Sequence, residues 1–198
     1  MGSKFQSDLF ECNKCLELGI DYTQTRIENY NFAYSYIPKE IELLWIVESP
    51  PHSYPPRYFY RPELTRFDSL FREIMKVLDI HLFQDKVSSL KSFQEKGHFL
   101  IDSIKCPSDK SNSHLKPNMM INCSELLAQE ILNLTPNKII IIKADVYAPV
   151  KETIRLMDDR SGTDYTDKII NNTSIPFPGS GQQKRFREMV SDLIYSND

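Results

Sequence analysis

At 198 residues the chain has the length of one domain and enough material for a full hydrophobic core. Its 40% hydrophobic and 26% charged residues are the ordinary proportions of a soluble globular protein, and no apolar run reaches the roughly 20 residues of a membrane helix. A net charge of −3 argues against a general nucleic-acid coat protein, but leaves room for a DNA enzyme with a local basic patch.

The first eight residues hold no apolar signal segment, so a cytoplasmic location without membrane contact is expected. Leu43 to Val47 is a short continuous apolar run, the pattern of a strand buried on both faces. A proline-rich, aromatic loop follows from Ser49 to about Thr65. Phe67, Leu70, Phe71, Ile74, Met75 and Leu78 then recur at helical spacing, and residues 84–95 read as a second, more exposed helix. Phe99 to Ile104 is the second expected strand, ending at Lys105-Cys106-Pro107. A polar loop from Ser108 to Asn118 leads to a helix over about Ile121–Leu134, stopped by Pro136. Lys138 to Ile142 is the clearest strand. A helix over 145–157, a weak strand near Ile169–Ser174 and a last helix over about Gln182–Tyr195 complete the chain. The alternation predicts a single α/β domain over 1–198, a three-layer α/β/α arrangement around a roughly four-stranded, mostly parallel sheet.

The four cysteines fall into two pairs, Cys12 with Cys15 and Cys106 with Cys123. A Cys-x-x-Cys pair converges two thiolates across a tight turn, and a helix starting near Ile121 can bring Cys123 back towards Cys106. By count, four sulfurs suit tetrahedral zinc or an iron–sulfur cluster equally well. Unpaired buried cysteines, or a redox pair at Cys12 and Cys15, satisfy the same spacing.

Three segments, taken in order, resemble the uracil-DNA glycosylase superfamily, most closely its iron–sulfur, thermophile-type branch. Trp45-Ile-Val-Glu-Ser-Pro-Pro51 is similar to the strand-to-loop motif Gly-Glu-Ala-Pro-Gly, with Glu48 and Pro50 matching. Phe99-Leu-Ile-Asp-Ser-Ile-Lys-Cys-Pro107 is similar to Thr-Asn-Val-Val-Lys-Cys-Arg-Pro, and a cysteine-bearing helix and a Pro-x-Lys-Ile-Ile strand follow in both. Ser174-Ile-Pro-Phe-Pro-Gly-Ser-Gly181 stands where the family has its His-Pro-Ser motif and intercalating loop. The resemblance implies a uracil-DNA glycosylase-like fold and a monomer acting on DNA that contains a modified base. It also implies a structural 4Fe–4S cluster on Cys12, Cys15, Cys106 and Cys123, with zinc as the alternative metal.

Such an enzyme flips a nucleotide out of the duplex and hydrolyses its base–sugar bond. Glu48, where a strand passes into a loop, is the candidate carboxylate for stabilising positive charge on the sugar and orienting water. The competing reading is a loop carboxylate paired with Arg57 or Arg61. Phe59 is the candidate for stacking on the base, with Pro50 beside it. Asp102 stands where the family carries a base-reading asparagine. An ionised carboxylate only accepts hydrogen bonds, so altered base choice or a catalytic role is expected there. Ile175 and Phe177 replace the His-Pro-Ser histidine, and loss of one such donor costs roughly 10²–10³ in rate; His52 is a possible substitute. Gly179, Ser180, Gly181, Gln182, Lys184 and Arg185, with Arg187, are the expected DNA contact at a helix N-terminus. The alternative function is a silent glycosylase-fold module that binds nucleic acid or a nucleotide-like ligand.

Overall fold

The computed structural model describes residues 4–52, 58–62, 68–82, 85–108, 111–179 and 181–195. Its centre is β1 (Leu43–Val47), every residue of which is buried. A strand covered on both faces has no use for alternating polarity, which is why Leu-Leu-Trp-Ile-Val is apolar throughout. β2 (His98–Asp102) pairs parallel with one side of it, from Leu43 opposite His98 to Val47 opposite Asp102. β3 (Lys138–Ile141) pairs parallel with the other side, from Leu43 opposite Lys138 to Ile46 opposite Ile141. The sheet is therefore three-stranded in the order β2-β1-β3, flanked by helices.

The expected fourth strand is reduced to two isolated parallel bridges, Ile139 to Ile169 and Ile142 to Ile175. Between them Asn171 does by side chain what a strand does by backbone. Its Oδ1 accepts from the Ile141 N–H at 3.0 Å and its Nδ2 donates to the Ile141 carbonyl at 2.9 Å. With both Ile141 groups taken by an amide side chain, the ladder does not continue there.

Two helices that the apolar periodicity does not announce precede β1: α1 (Lys4–Glu11) and α2 (Thr23–Tyr34). α1 buries only Phe5 and Leu9, packed on Leu126. α2 buries Arg26, Asn29 and Ala33, so its inward face is largely polar and carries no hydrophobic stripe. α3 (Ser69–Val77) starts at Asp68, whose carboxylate accepts from the Phe71 N–H at 2.7 Å. α4 (Lys86–Glu95) is more buried than expected, with Lys86, Ser89, Leu90 and Phe93 inside. α5 (Lys116–Leu134) begins five residues before the expected start, because Pro117 occupies its first turn, where no N–H is required. α6 (Ala144–Ser161) ends on Gly162 at φ 66°, and α7 (Gln183–Tyr195) buries Phe186 and Val190. No described helix is long and apolar enough to cross a membrane.

Hydrogen bonding continues past the strand ends. Ser103 N–H donates to the Val47 carbonyl and Ile104 N–H to the Glu48 carbonyl, both at 2.8 Å. Ser108 N–H then donates to the Pro50 carbonyl at 3.0 Å, and the Ser49 and Ser108 hydroxyls lie 2.5 Å apart. The loops after β1 and β2 are thereby fastened together at the carboxyl edge of the sheet, where open parallel sheets place their ligands.

Candidate active site

A cavity of about 360 Å³ opens at this edge. Its described lining brings together Glu48, Phe59, Asp102, Lys143 and Phe177, with Tyr58, Leu70 and Leu100 among the remaining walls. Four positions named by the sequence thus meet in one place: Glu48, Phe59, Asp102 and the residue in the histidine's stead, Phe177.

Glu48 follows β1 and is held by two ammonium groups. Lys116 Nζ, from the first turn of α5, donates to one carboxylate oxygen at 2.7 Å, and Lys143 Nζ donates to the other at 2.5 Å. Burial alone would raise this carboxyl, but the two lysines outweigh it and hold Glu48 below the usual carboxylate range. The pairing with Arg57 or Arg61 is not what occupies Glu48: Arg61 pairs with Glu28 at 2.7 Å, and Arg57 lies outside the described residues. Lys116 and Lys143 also border an adjoining groove of about 620 Å³ between α5 and α6, lined by Pro117, Met120, Ile121 and Pro149.

Asp102 closes β2 and is buried. Burial pushes its carboxyl up to about 7; the Lys105 ammonium opposes the shift, the charges of Glu130 and Glu48 reinforce it, and a hydrogen bond from Tyr58 opposes it. Burial thus works against the ionised Asp102 that the sequence expectation assumed. Lys105 Nζ bonds both the Asp102 carbonyl and the Glu130 carboxylate, while the Tyr34 hydroxyl donates to Glu130 at 3.1 Å.

Phe59 lines the cavity and is also a packing anchor, with ring centroids 5.2 Å from Phe71 and 5.4 Å from Phe93. Pro50 lines a second cavity of about 30 Å³ with Arg26, Lys105 and Glu130; Tyr58, Leu100 and Asp102 border both cavities, and Pro51 is the proline on the main one. His52 is outside the described lining and lies against Tyr22, ring centroids 4.9 Å apart.

In the expected DNA-contact segment, Gln182 N–H donates to the Gly179 carbonyl at 3.0 Å and Gly181 adopts φ 86°. This tight turn delivers the chain from Phe177 into α7. Lys184 and Arg185 are exposed, and Lys184 sits 3.7 Å from Glu188. Ser180 lies outside the described residues. Arg187 is committed elsewhere, to the buried Glu73 of α3.

Of the four cysteines the sequence groups together, three meet near the loop after β2. Cys15, Cys106 and Cys123 are buried in one small cluster with Ile20, Ile104 and Met119, whereas the partly buried Cys12 packs against the neighbouring cluster of Phe5, Leu9 and Leu126. Cys106 draws the Cys15 thiol down, but Cys123 and burial outweigh it and push that thiol up. Arg26 donates to the Cys106 sulfur at 3.4 Å and to the Cys12 carbonyl at 2.7 Å, and Lys105 N–H points at the Cys123 sulfur at 3.4 Å. Arg26 Nε has no hydrogen-bond partner among the described residues. All four thiols are free of disulfides. Among the described residues no three cysteine, histidine or acidic side chains stand at metal-holding distances. The donor set, soft sulfurs beside N–H groups that stabilise thiolates, nevertheless fits a soft metal in its chemistry.

Lys116 and Lys143 were missed from sequence. A lysine two residues past a strand reads as a solvated charge, and its only distinguishing signal was position at a strand's carboxyl end. No protein-family model matches the chain, and no curated protein matches it.

Proposed function

We propose that the chain is a DNA glycosylase-like enzyme of the uracil-DNA glycosylase type, hydrolysing the N-glycosidic bond of uracil or another modified base. The observation that carries this reading is the convergence of Glu48, Asp102 and Phe59 on one cavity at the carboxyl edge of the parallel sheet. A flipped base enters the cavity and stacks on Phe59. Glu48, kept ionised by its two lysines, faces the sugar as positive charge develops there and orients the attacking water. Negative charge grows on the departing base at the same time. Lys143, in the cavity wall, supplies a cationic donor where the family's histidine is absent. Gly179 to Gln182, Lys184 and Arg185 lie against the DNA backbone. Cys12, Cys15, Cys106 and Cys123 would hold a 4Fe–4S cluster, or zinc, in a structural role; the metal takes no part in bond cleavage.

The double clamp on Glu48 favours a second reading. A carboxylate already saturated by two ammonium groups has little capacity left for water, which suits a silent module that binds a nucleic acid or nucleotide-like ligand. The test is a cleavage panel on single- and double-stranded oligonucleotides bearing uracil, hypoxanthine, xanthine or mismatched thymine, with Glu48→Gln as control. Cleavage that falls roughly 10²–10³-fold in the variant supports the enzyme. Binding of these DNAs without cleavage of any of them overturns it in favour of the silent module.

A further inference from the structure

α2 turns polar side chains inwards, and two atoms on that face lack partners. Arg26 and Asn29 are only 4% and 5% exposed. The guanidinium of Arg26 is committed at its two ends, Nη1 to the Cys106 sulfur and Nη2 to the Cys12 carbonyl. Its Nε has no hydrogen-bond partner among the described residues, and neither has Asn29 Oδ1. A buried polar atom without a partner costs free energy, and native proteins leave few of them. Residues three apart on a helix are neighbours on one face, and Arg26 and Asn29 both line the second cavity. That cavity, of about 30 Å³, is walled mainly by buried residues, among them Leu9, Leu100 and Ile101.

We infer that this cavity is the site of one resident water molecule, which accepts a hydrogen bond from Arg26 Nε–H and donates one to Asn29 Oδ1. Size and chemistry both select water. A water's share of the liquid is roughly 30 Å³, whereas pockets for organic ligands begin at about 300 Å³. The two atoms also make opposite demands, one offering a proton and the other requiring one. A chloride or other simple anion satisfies Nε–H and repels the amide oxygen. A sodium or potassium ion satisfies the oxygen and repels the guanidinium. Water meets both demands at once. Buried waters typically make about two to four hydrogen bonds, and Asp102, Lys105 and Glu130 bring further polar groups to the border of the same space.

A water here explains why α2 presents an arginine and an asparagine to the interior. Through it, Asn29 steadies the Nε side of the guanidinium whose other nitrogens reach Cys106 and Cys12. Tyr58, Leu100 and Asp102 border the main cavity as well, so the water lies behind a wall of the candidate active site. Its binding needs neither nucleic acid nor metal, and it stands apart from the glycosylase reading.

The test is water-to-protein NOE and ROE spectroscopy on the full, isotope-labelled chain. A water held at this site gives Arg26 Hε and the Asn29 side chain cross-peaks of opposite sign in the two experiments. Proton exchange with bulk water gives the same sign in both. Asn29→Leu keeps the branched shape, removes the acceptor and extends methyl groups into the water's place. The expected result is opposite-signed cross-peaks at Arg26 Hε in the wild type and their loss in Asn29→Leu. A crystal structure of the wild type is the second measurement, independent of how the variant folds. It is expected to show one ordered water within hydrogen-bond distance of both atoms. A wild type without such cross-peaks, a cavity without water density, a direct bond between Nε and Oδ1, or a water signal unchanged in Asn29→Leu overturns the inference.

Discussion

Lys143 stands at φ 86° and ψ 134°, backbone that a residue with a Cβ rarely adopts. Such a conformation costs on the order of 1–3 kcal/mol and persists where the surroundings impose it. Here the imposing contacts are its own N–H, which donates to the Ile175 carbonyl at 2.8 Å, and its Nζ on Glu48. Two substitutions separate the backbone from the charge. Lys143→Ala and Lys143→Gly both remove the ammonium group, but only glycine relaxes at that φ. Lys143→Gly is expected to be more stable than Lys143→Ala by about 1–3 kcal/mol in urea unfolding, while both lose ligand binding or activity alike. Equal stability would mean that the backbone there is unstrained. Asp102 gives a second prediction at this scale. Its folded pKa lies above its ordinary value of 3.8, at about 7, so the neutral form is the one that folding favours. That stabilisation is complete below the ordinary value and is lost as pH rises through the folded one. Asp102→Asn therefore matches wild type in acid and exceeds it by up to a few kcal/mol at about pH 8, as thermal melts at the two pH values will show. Glu48 was singled out in the sequence because it follows an apolar run at a strand's end, and Asp102 because of the resemblance, inside a strand expected to run on to Ile104. Their partners were not, since Lys116 and Lys143 come from distant elements that only the folded sheet brings to Glu48.

Elements with one-sided or all-round apolar patterns were legible, and those held by polar side chains were not. β1 and β3 appear within a residue or two of their expected bounds because every buried position is apolar. α2 escaped because what it buries is Arg26 and Asn29, and α1 because two residues, Phe5 and Leu9, suffice to dock it. The weak fourth strand is the instructive case. The run from Ile169 to Ser174 suggested a strand, but the segment is organised by Asn171, which bonds Ile141 twice and the Thr173 carbonyl at 2.9 Å. Asn171→Ala removes all three bonds and strands the N–H and carbonyl of Ile141 in a buried place. The expected cost is about 2–4 kcal/mol in denaturant unfolding. Because the same segment runs on to Phe177 at the cavity, ligand binding should weaken with it. A cost below about 0.5 kcal/mol would show that the isoleucine packing alone holds the edge.

Across the whole molecule the cysteine cluster lies between the N-terminal helices and the cavity edge of the sheet. Cys12 and Cys15 lie between α1 and α2, Cys106 lies four residues past β2, and Cys123 is on α5. From Cys106 the chain passes at once to Ser108, which fastens the Glu48 loop through the Pro50 carbonyl and the Ser49 hydroxyl. Loosening the cluster should therefore release residues 4–34 and disturb the cavity while leaving β1 to β3 intact. Whether a metal or mere thiol packing holds the cluster is decided by Cys12, which is partly exposed and packs on the neighbouring Phe5, Leu9 and Leu126. If the sulfurs only fill space, Cys12→Ser removes nothing buried and changes stability by less than about 0.5 kcal/mol. If they bind iron or zinc, losing one of four ligands empties or destabilises the site, although Cys12 is only partly buried. The expected result, in protein purified without air, is iron and acid-labile sulfide in the wild type and loss of both in Cys12→Ser. Hydrogen exchange should then rise over residues 4–34 and near Cys106, while the strands stay protected. Zinc in place of iron would leave the junction's mechanical role standing and remove the iron–sulfur likeness to the glycosylases. A metal-free wild type with an unaffected Cys12→Ser variant would reduce the quartet to packing, and the link from the N-terminal helices to the Glu48 loop would then rest on polar contacts such as Arg26 with Cys12 and Cys106 and Glu28 with Arg61.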